Sequence, residues 1–188
     1  MNRQVLLGVV LLIFIVHMYE LKKLIKKLGK KFSSITDHTT LFYNKNFFLK
    51  RFEEEIKKAE RYNLPLALIM ISLNDITISI GVEKNIDESL IKRIAFLLKE
   101  NMRETDILAR FGNNEFACIL PFERIEGATI VLERIKNILL QNKNLKIKSN
   151  TKKIKIGLAL LPEDGKDRDS LIKKAKDNTH EPETFLSC

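Results

Sequence analysis

The chain has 188 residues, 45% of them hydrophobic, and a formal net charge of +9 at pH 7. This length and composition predict one folded domain with a short extension, and a content of two cysteines excludes a disulfide-stapled class of protein. The positive charge predicts a solvated basic surface and no nucleic-acid partner, because no helix-turn-helix, zinc-finger or aromatic–basic pattern accompanies it.

The first element in the chain is an apolar stretch over residues 5–19. At ~1.5 Å per residue, a helix of this length covers roughly 22 Å of a ~30 Å hydrocarbon core, and snorkelling flanks or local thinning would make up the difference. A cleaved signal peptide is the competing interpretation, but bulky residues follow the stretch in place of a small-residue cleavage site. We therefore predict a membrane anchor, formed by a transmembrane helix, over residues 1–20.

Six lysines fall in the next segment, residues 21–36, whereas only Arg3 and the α-amino group precede the apolar stretch. Because positive residues collect on the cytoplasmic side of a membrane, this asymmetry predicts a single-pass protein whose domain lies in the cytoplasm. The paired lysines also predict a short basic amphipathic helix, which lies on anionic headgroups or continues as a linker.

The remaining chain predicts one α+β domain over residues 37–176 and a tail over 177–188, because helical and strand periods alternate along it. The first predicted elements are a helix with the apolar face Phe48, Phe52, Ile56 and Ala59, a buried strand over 66–73, and a helix that starts near Asn85 and buries Ile91, Ile94, Ala95, Leu98 and Met102. The later ones are a hairpin over 106–120, a helix with the face Ala128, Leu132, Ile135 and Leu139, a short edge strand over 145–148, a strand over 153–161 and a helix over 168–176 capped by Asp167.

The centre of the predicted hairpin, residues 110–116, reads Arg-Phe-Gly-Asn-Asn-Glu-Phe. Asn and Gly between two short apolar runs favour the φ > 0 angles of a tight hairpin. The segment resembles the signature loop of GGDEF domains, the bacterial diguanylate cyclases that join two GTP molecules into cyclic di-GMP. Residues 37–45, 66–71 and 157–165 resemble the opening segment, first core strand and late strand of that family, in the same order. The resemblance implies the ferredoxin-like sheet of nucleotide cyclases, here anchored at a bacterial inner membrane.

The resemblance also implies where a cyclase would hold its metal. In the family, two carboxylates bind the divalent cation that phosphoryl transfer requires, one at the end of the first core strand and one at the third signature position. Ser72 and Asn114 stand at these positions, and their neutral oxygens do not neutralise a divalent charge. Glu115, the next signature residue, is kept, and we interpret it as a partner of N–H groups inside the hairpin.

Other positions of the family pattern depart as well. The phosphate-binding lysine after the first core strand is replaced by Thr77, the guanine-reading asparagine falls at Ile80, and the lysine of the last helix has no counterpart. We therefore predict a degenerate diguanylate cyclase that is not an enzyme, with no catalytic residues, no metal site and no cofactor.

Arg103 and Asp106 stand just before the hairpin. An Arg-x-x-Asp motif at this offset resembles the inhibitory site of the family, where cyclic di-GMP binds and the arginine presents a planar fork to guanine O6 and N7. Counting forward from the signature places Arg134 at the second arginine of that site, which in many members comes from a neighbouring copy. The alternative interpretation of Arg103 and Asp106 is a surface ion pair, worth ~0–1 kcal/mol.

Two functional hypotheses from different classes follow. The first is a membrane-anchored, catalytically inactive receptor that binds cyclic di-GMP through Arg103, Asp106 and Arg134. The second is a pseudo-enzyme that binds no nucleotide and serves as a protein-interaction module, either as a homodimer or as a heterodimer with another GGDEF protein. A third hypothesis, residual cyclase activity, predicts cyclic di-GMP formation from GTP and Mg²⁺.

Overall fold

The computed structural model describes residues 12–25, 35–73, 88–141 and 154–179. The chain divides into two compact units, Met1–Ile35 and Thr36–Cys188. In the first unit, residues 12–25 form helix α1, whose described side chains are all exposed. None of the helices in the described ranges is both long and apolar enough to cross a membrane. The predicted cap at Asn85 and the predicted edge strand at 145–148 lie outside these ranges.

The second unit alternates short strands with helices. Its elements, in chain order, are β1 (Tyr43–Asn44), α2 (Lys45–Tyr62), β2 (Leu66–Ser72), α3 (Glu88–Glu100), β3 (Ile107–Gly112), β4 (Glu115–Pro121), α4 (Ile125–Gln141), β5 (Lys155–Leu161) and α5 (Arg168–Asp177). The order of the longer elements agrees with the predicted one. The apolar pattern does not predict β1, because two residues show no period.

The five strands form one mixed sheet in the order β1-β3-β4-β2-β5. β1 pairs with β3 in parallel, and the other neighbouring strands pair antiparallel. This is the predicted α+β, cyclase-like arrangement of helices on a single sheet. β2 lies between β4 and β5 and is buried from Leu66 to Ile71, as its continuous apolar run predicts.

Alternate side chains of β2 enter two different cores, because successive residues of a strand point to opposite faces of the sheet. Ile69 and Ile71 pack in the core that includes α3 and α4. Leu68 and Met70 pack in the core that includes α2 and α5, where Phe48 is fully buried. The apolar faces of the helices therefore fix α4 on one side of the β3–β4 hairpin and α5 on the other.

Capping residues set the ends of two helices. Asn44 accepts a hydrogen bond from the N–H of Phe47 at 3.0 Å and begins α2, and Asn63 ends α2 in the left-handed conformation with φ 51°. Asp167 begins α5 as predicted, by accepting a hydrogen bond from the N–H of Ser170 at 2.9 Å in a capping box.

β3 and β4 form the predicted hairpin, but the tip of the hairpin differs from the predicted geometry. Gly112 pairs with Glu115, and the register shifts between Arg110 and Gly112. Neither Gly112 nor the two asparagines after it have a positive φ, so the expectation of φ > 0 at this turn is wrong. The irregular register closes the turn instead, together with hydrogen bonds from the Arg110 guanidinium to the carbonyls of Gly112, at 2.8 Å, and Asn113.

Candidate functional site

Polar and charged side chains collect at the two ends of the β3–β4 hairpin. The group at the turn is called here the tip cluster, and it consists of Ser72, Asn114, Glu115 and Lys176. The group at the opposite end, before β3 and after β4, is called the base cluster, and it consists of Arg103, Asp106, Glu123 and Arg134.

The tip cluster brings together the two positions where the family pattern has metal-binding carboxylates. The N–H of Leu73 donates to the carbonyl of Asn114 at 2.8 Å, and Ser72 lies opposite Glu115 in the register of β2 and β4. The end of β2 therefore lies beside the turn of the hairpin, where the two replaced residues meet.

Glu115 is paired with a cation from α5. Both of its carboxylate oxygens accept hydrogen bonds from Lys176 Nζ, at 2.8 and 3.0 Å. The same ammonium group lies 5.2 Å from the centre of the Phe111 ring, and the ammonium of Lys45 lies 4.8 Å from that centre. Glu115 thus has an ammonium partner that its interpretation as an acceptor for hairpin N–H groups does not include.

Lys176 is the residue of this cluster that sequence reasoning misses, since that reasoning looks for a lysine only at the end of the last helix. The signal that could have found it is a reversal of charge. In the GGDEF pattern that the chain resembles, the last helix has Ala-Asp at the position of Ala175-Lys176 in this chain. A lysine in place of an acid predicts a carboxylate nearby, and Glu115 is that carboxylate.

The described residues of the tip cluster do not fit the divalent cation that the family resemblance implies. Ser72 and Asn114 are neutral, and both oxygens of Glu115 face the Lys176 ammonium, which would repel a second cation. Within the described ranges, no group of three or more His, Cys, Asp or Glu side chains is placed to hold a metal. Residues 74–87, which follow β2 in sequence, lie outside those ranges.

The base cluster is organised around Asp106. The N–H of Arg103 donates to Asp106 Oδ2 at 2.9 Å, and the N–H of Asp106 donates to the carbonyl of Arg103 at 3.1 Å. These two hydrogen bonds close the turn between α3 and β3. The guanidinium of Arg103 forms an ion pair with Glu123, which follows β4.

Arg134 approaches this turn from α4. Its Nε atom is buried and has no hydrogen-bond partner among the described residues. Burial raises the pKa of Asp106, and a hydrogen bond and positive charge from Arg103, together with the charge of Arg134, act in the opposite direction. Arg134 therefore lies close enough to act on Asp106. The structure brings the three predicted residues Arg103, Asp106 and Arg134 together within one copy of the chain.

Glu123 is the member of the base cluster that the sequence does not predict. It lies 20 positions after Arg103, and no motif links the two residues. Only the return of the chain through the β3–β4 hairpin brings the carboxylate back to the guanidinium.

The family model described as diguanylate cyclase, GGDEF domain, matches residues 34–183. The chain belongs to the GGDEF family. It is 28% identical over 104 residues to diguanylate cyclase DgcP of Pseudomonas aeruginosa, a match that covers 55% of this chain and 16% of DgcP. This GGDEF chain thus spans a small part of the length of that curated relative.

Two solved structures resemble the fold of this GGDEF domain. The diguanylate cyclase SiaD of Pseudomonas aeruginosa, in complex with its activator SiaC, has a TM-score of 0.63 at 21% identity, covering 93% of this chain and 68% of that one. The GGDEF domain of DgcB from Caulobacter crescentus, in complex with cyclic di-GMP, has a TM-score of 0.57 at 19% identity, covering 76% of this chain and 84% of that one. Proteins of this fold therefore include one bound to cyclic di-GMP and one bound to a protein activator.

These matches contradict the prediction that the chain is not an enzyme, because its family and relatives are diguanylate cyclases. The prediction treats the lost charge at Ser72 and Asn114 as decisive. Cation and phosphate binding depend on all the charges around a site, so two replaced positions are not enough to exclude the reaction. The chain is a GGDEF-domain signalling protein related to cyclic di-GMP metabolism.

Proposed function

We propose that this GGDEF domain binds cyclic di-GMP at the base cluster and responds to it as a receptor. The observation that carries the proposal is the Nε of Arg134, a buried donor with no hydrogen-bond partner among the described residues. A buried donor without a partner costs about 1–3 kcal/mol. A ligand acceptor at this position would remove that penalty, which gives the cluster a reason to attract a polar ligand.

The chemistry of the cluster suits a guanine base. The planar fork of an arginine matches the O6 and N7 acceptors of guanine, and the Arg103 side chain, 64% exposed, is open to such a base. The carboxylate of Asp106 is suited to accept hydrogen bonds from the N1–H and N2–H₂ donors on the other edge of the base. The positive charges of Arg103 and Arg134 favour a ligand that carries phosphates.

The test is a titration of the full chain with fluorescently labelled cyclic di-GMP, followed by anisotropy. We expect binding in the micromolar range or tighter, and a loss of affinity of about tenfold or more in Arg103→Ala, because a bidentate arginine–guanine contact is worth ~1–3 kcal/mol. Arg61→Ala is the matched control, since it removes an exposed arginine of α2. No binding by the wild-type chain, or equal losses in both variants, would contradict the proposal.

Synthesis of cyclic di-GMP is a second candidate function, and the names of the family and of DgcP favour it. The test is incubation of the full chain with GTP and either Mg²⁺ or Mn²⁺, with the product identified by mass spectrometry. Formation of cyclic di-GMP that disappears in Glu115→Ala would place the reaction at the tip cluster. Product that persists in Glu115→Ala would exclude that assignment.

The proposal includes attachment to a bacterial inner membrane through the N-terminal segment. The support is the apolar stretch at residues 5–19, the lysines after it, and the exposure of Phe14 and Ile15 on α1, at 61% and 55%. We expect the full chain in the membrane fraction of cells, and a shift to the supernatant in the double variant Phe14→Lys, Ile15→Lys. Recovery of the wild-type chain in the supernatant would contradict this part of the proposal.

A further inference from the structure

We infer that Glu123 is a built-in competitor at the base cluster: its carboxylate holds the Arg103 guanidinium and so lowers the affinity of the site for cyclic di-GMP. This inference rests on the proposed function, because it concerns the same arginine that would bind guanine. What is added is that the domain itself supplies a carboxylate, that of Glu123, which cyclic di-GMP must displace from Arg103.

The ion pair between Arg103 and Glu123 is asymmetric in exposure. The side chain of Arg103 is 64% exposed, whereas that of Glu123 is 13% exposed. The guanidinium therefore faces solvent, from which a ligand arrives, while the carboxylate is held by the protein. Arg103 Nη1 donates to Glu123 Oε1, and this nitrogen belongs to the fork that a guanine base would use.

The fold provides a specific place for the Glu123 carboxylate. Glu123 lies two residues before α4 begins at Ile125, and the amino end of a helix favours negative charge. Glu123 Oε2 lies against Gly127, in the first turn of α4, where an added Cβ would come within 1.8 Å of that oxygen. Gly127 therefore leaves the space that the carboxylate fills.

The charge of Glu123 reaches the rest of the base cluster. It acts on Asp106 in the same direction as burial and raises the pKa of that carboxyl, against the effect of Arg103 and Arg134. Two carboxylates thus already balance two guanidiniums. Cyclic di-GMP brings two phosphate charges of its own, so binding meets both competition for Arg103 and repulsion from Glu123.

The experiment compares the affinity of the full chain for labelled cyclic di-GMP in three variants. Glu123→Gln removes the charge, and we expect an affinity about three- to fivefold higher, the range that a partly exposed ion pair of up to ~1 kcal/mol allows. Gly127→Ala keeps the charge but places a methyl group where Oε2 lies. We expect it to raise the affinity as well, because the carboxylate must leave Arg103. Glu126→Gln, in the same turn of α4, is the control with an equal charge change, and we expect an affinity within about twofold of wild type.

The outcomes separate this inference from the proposed function. Equal affinities in wild type and Glu123→Gln, with clear binding by both, would overturn the competitor role and leave the receptor proposal intact. A matching increase in Glu126→Gln would also overturn it, since general charge would then explain the effect. Binding by Glu123→Gln but not by the wild-type chain would support the competitor role and contradict the receptor proposal, and absence of binding in all four proteins would overturn both.

Discussion

Both ends of the β3–β4 hairpin carry charged side chains, but these are fully paired in the tip cluster and incompletely paired in the base cluster. In the tip cluster, the one carboxylate and the one ammonium satisfy each other, since Glu115 accepts with both oxygens from Lys176. In the base cluster, two carboxylates and two guanidiniums are brought together, and Arg134 Nε is buried without a partner within the described part of the chain.

This contrast shows that unpaired polar atoms indicate a ligand site better than the number of charged side chains does. A satisfied ion pair between α5 and the hairpin has a structural role, and a partly exposed pair of this kind contributes little to stability. An unsatisfied buried donor reduces stability. The described residues include a second one, Nη1 of Arg110, but that guanidinium already donates to two carbonyls of the turn, whereas Arg134 Nε belongs to a cluster with the exposed Arg103 fork. We therefore expect the affinity for cyclic di-GMP to depend on the base cluster, and stability to depend more on how α5 packs beside the tip than on the ion pair itself.

The largest expected effect on stability comes from Gly157→Ala. Gly157 lies in β5 and contacts α5, the helix that carries Lys176 of the tip cluster. A Cβ at Gly157 would lie 1.8 Å from the carbonyl oxygen of Ala175, and this backbone atom has little freedom to yield. We expect the free energy of unfolding to fall by about 2–3 kcal/mol, as overpacking typically costs, because α5 must move away from β5. Urea denaturation of wild type and variant measures the loss.

Gly112→Ala is the matched control for that substitution. Its nearest contact would be Glu115 Oε2 at 3.3 Å, the end of a flexible side chain, and Gly112 does not have a positive φ. We expect a change in the free energy of unfolding below about 0.5 kcal/mol. A loss as large as that of Gly157→Ala would show that stability depends on the turn of the hairpin as much as on the contact between β5 and α5, and would contradict this prediction.

The second prediction concerns the base cluster and ligand affinity. Arg134→Lys keeps the positive charge beside Asp106 but removes the Nε donor that lacks a partner. We expect the affinity for cyclic di-GMP to fall about tenfold, because a hydrogen bond to a charged group contributes ~1.5–3 kcal/mol, while the stability of the free protein does not fall, because the substitution removes a buried donor that has no partner among the described residues. Unchanged affinity in a titration with labelled ligand would exclude a role for the arginine fork.

The third prediction uses pH to compare two carboxylates. Burial raises the pKa of Asp106, so the stability from its protonated form is fully present below its ordinary value of 3.8 and is lost as pH rises through the raised value. The hydrogen bonds from Ser170 lower the pKa of Asp167. Asp167 thus contributes stability above the ordinary value that is lost as pH falls through the lowered one.

The measurement is the free energy of unfolding of Asp106→Asn and Asp167→Asn relative to wild type, at several values between about pH 3 and pH 7. Asp106→Asn should gain on wild type as pH rises from about 4, whereas the penalty of Asp167→Asn should shrink as pH falls below that value. The same sign of pH dependence in both variants would contradict the assignment of either shift.

The sequence predicts those parts of the fold that depend on local patterns. The apolar face of α2, with Phe48 and Phe52, and the continuous run of β2 give these elements directly, because burial on one face or both leaves a period in the sequence. The cap Asp167 is equally local. β1 is missed, because its two residues are too few to show a period and form a strand by pairing with the distant β3.

Contacts between distant segments explain what the sequence does not predict in the two clusters. Arg103, Asp106 and Arg134 are predicted as a group from their spacing relative to the signature loop of the family. Glu123 and Lys176 are missed, since each finds its partner through tertiary structure, the latter 61 positions from Glu115. The turn geometry fails for a related reason, because the register shift in the hairpin replaces the regular turn that Asn and Gly favour.

The last prediction, with a small expected effect on stability, is Lys176→Met, which removes the ammonium and keeps an apolar stem beside Phe111. A partly exposed ion pair is worth ~0–1 kcal/mol, so the loss in free energy of unfolding should stay below about 1 kcal/mol. The freed carboxylate of Glu115 should bind Mn²⁺ more tightly than in wild type, seen as paramagnetic broadening of the amide signals of Asn114 and Glu115. Lys174→Met, an exposed lysine of the same helix, controls for net charge. If the broadening caused by Mn²⁺ is the same in all three proteins, the ammonium of Lys176 does not determine cation binding at the tip cluster. The contrast between a paired tip cluster and an incompletely paired base cluster would then not explain ligand binding.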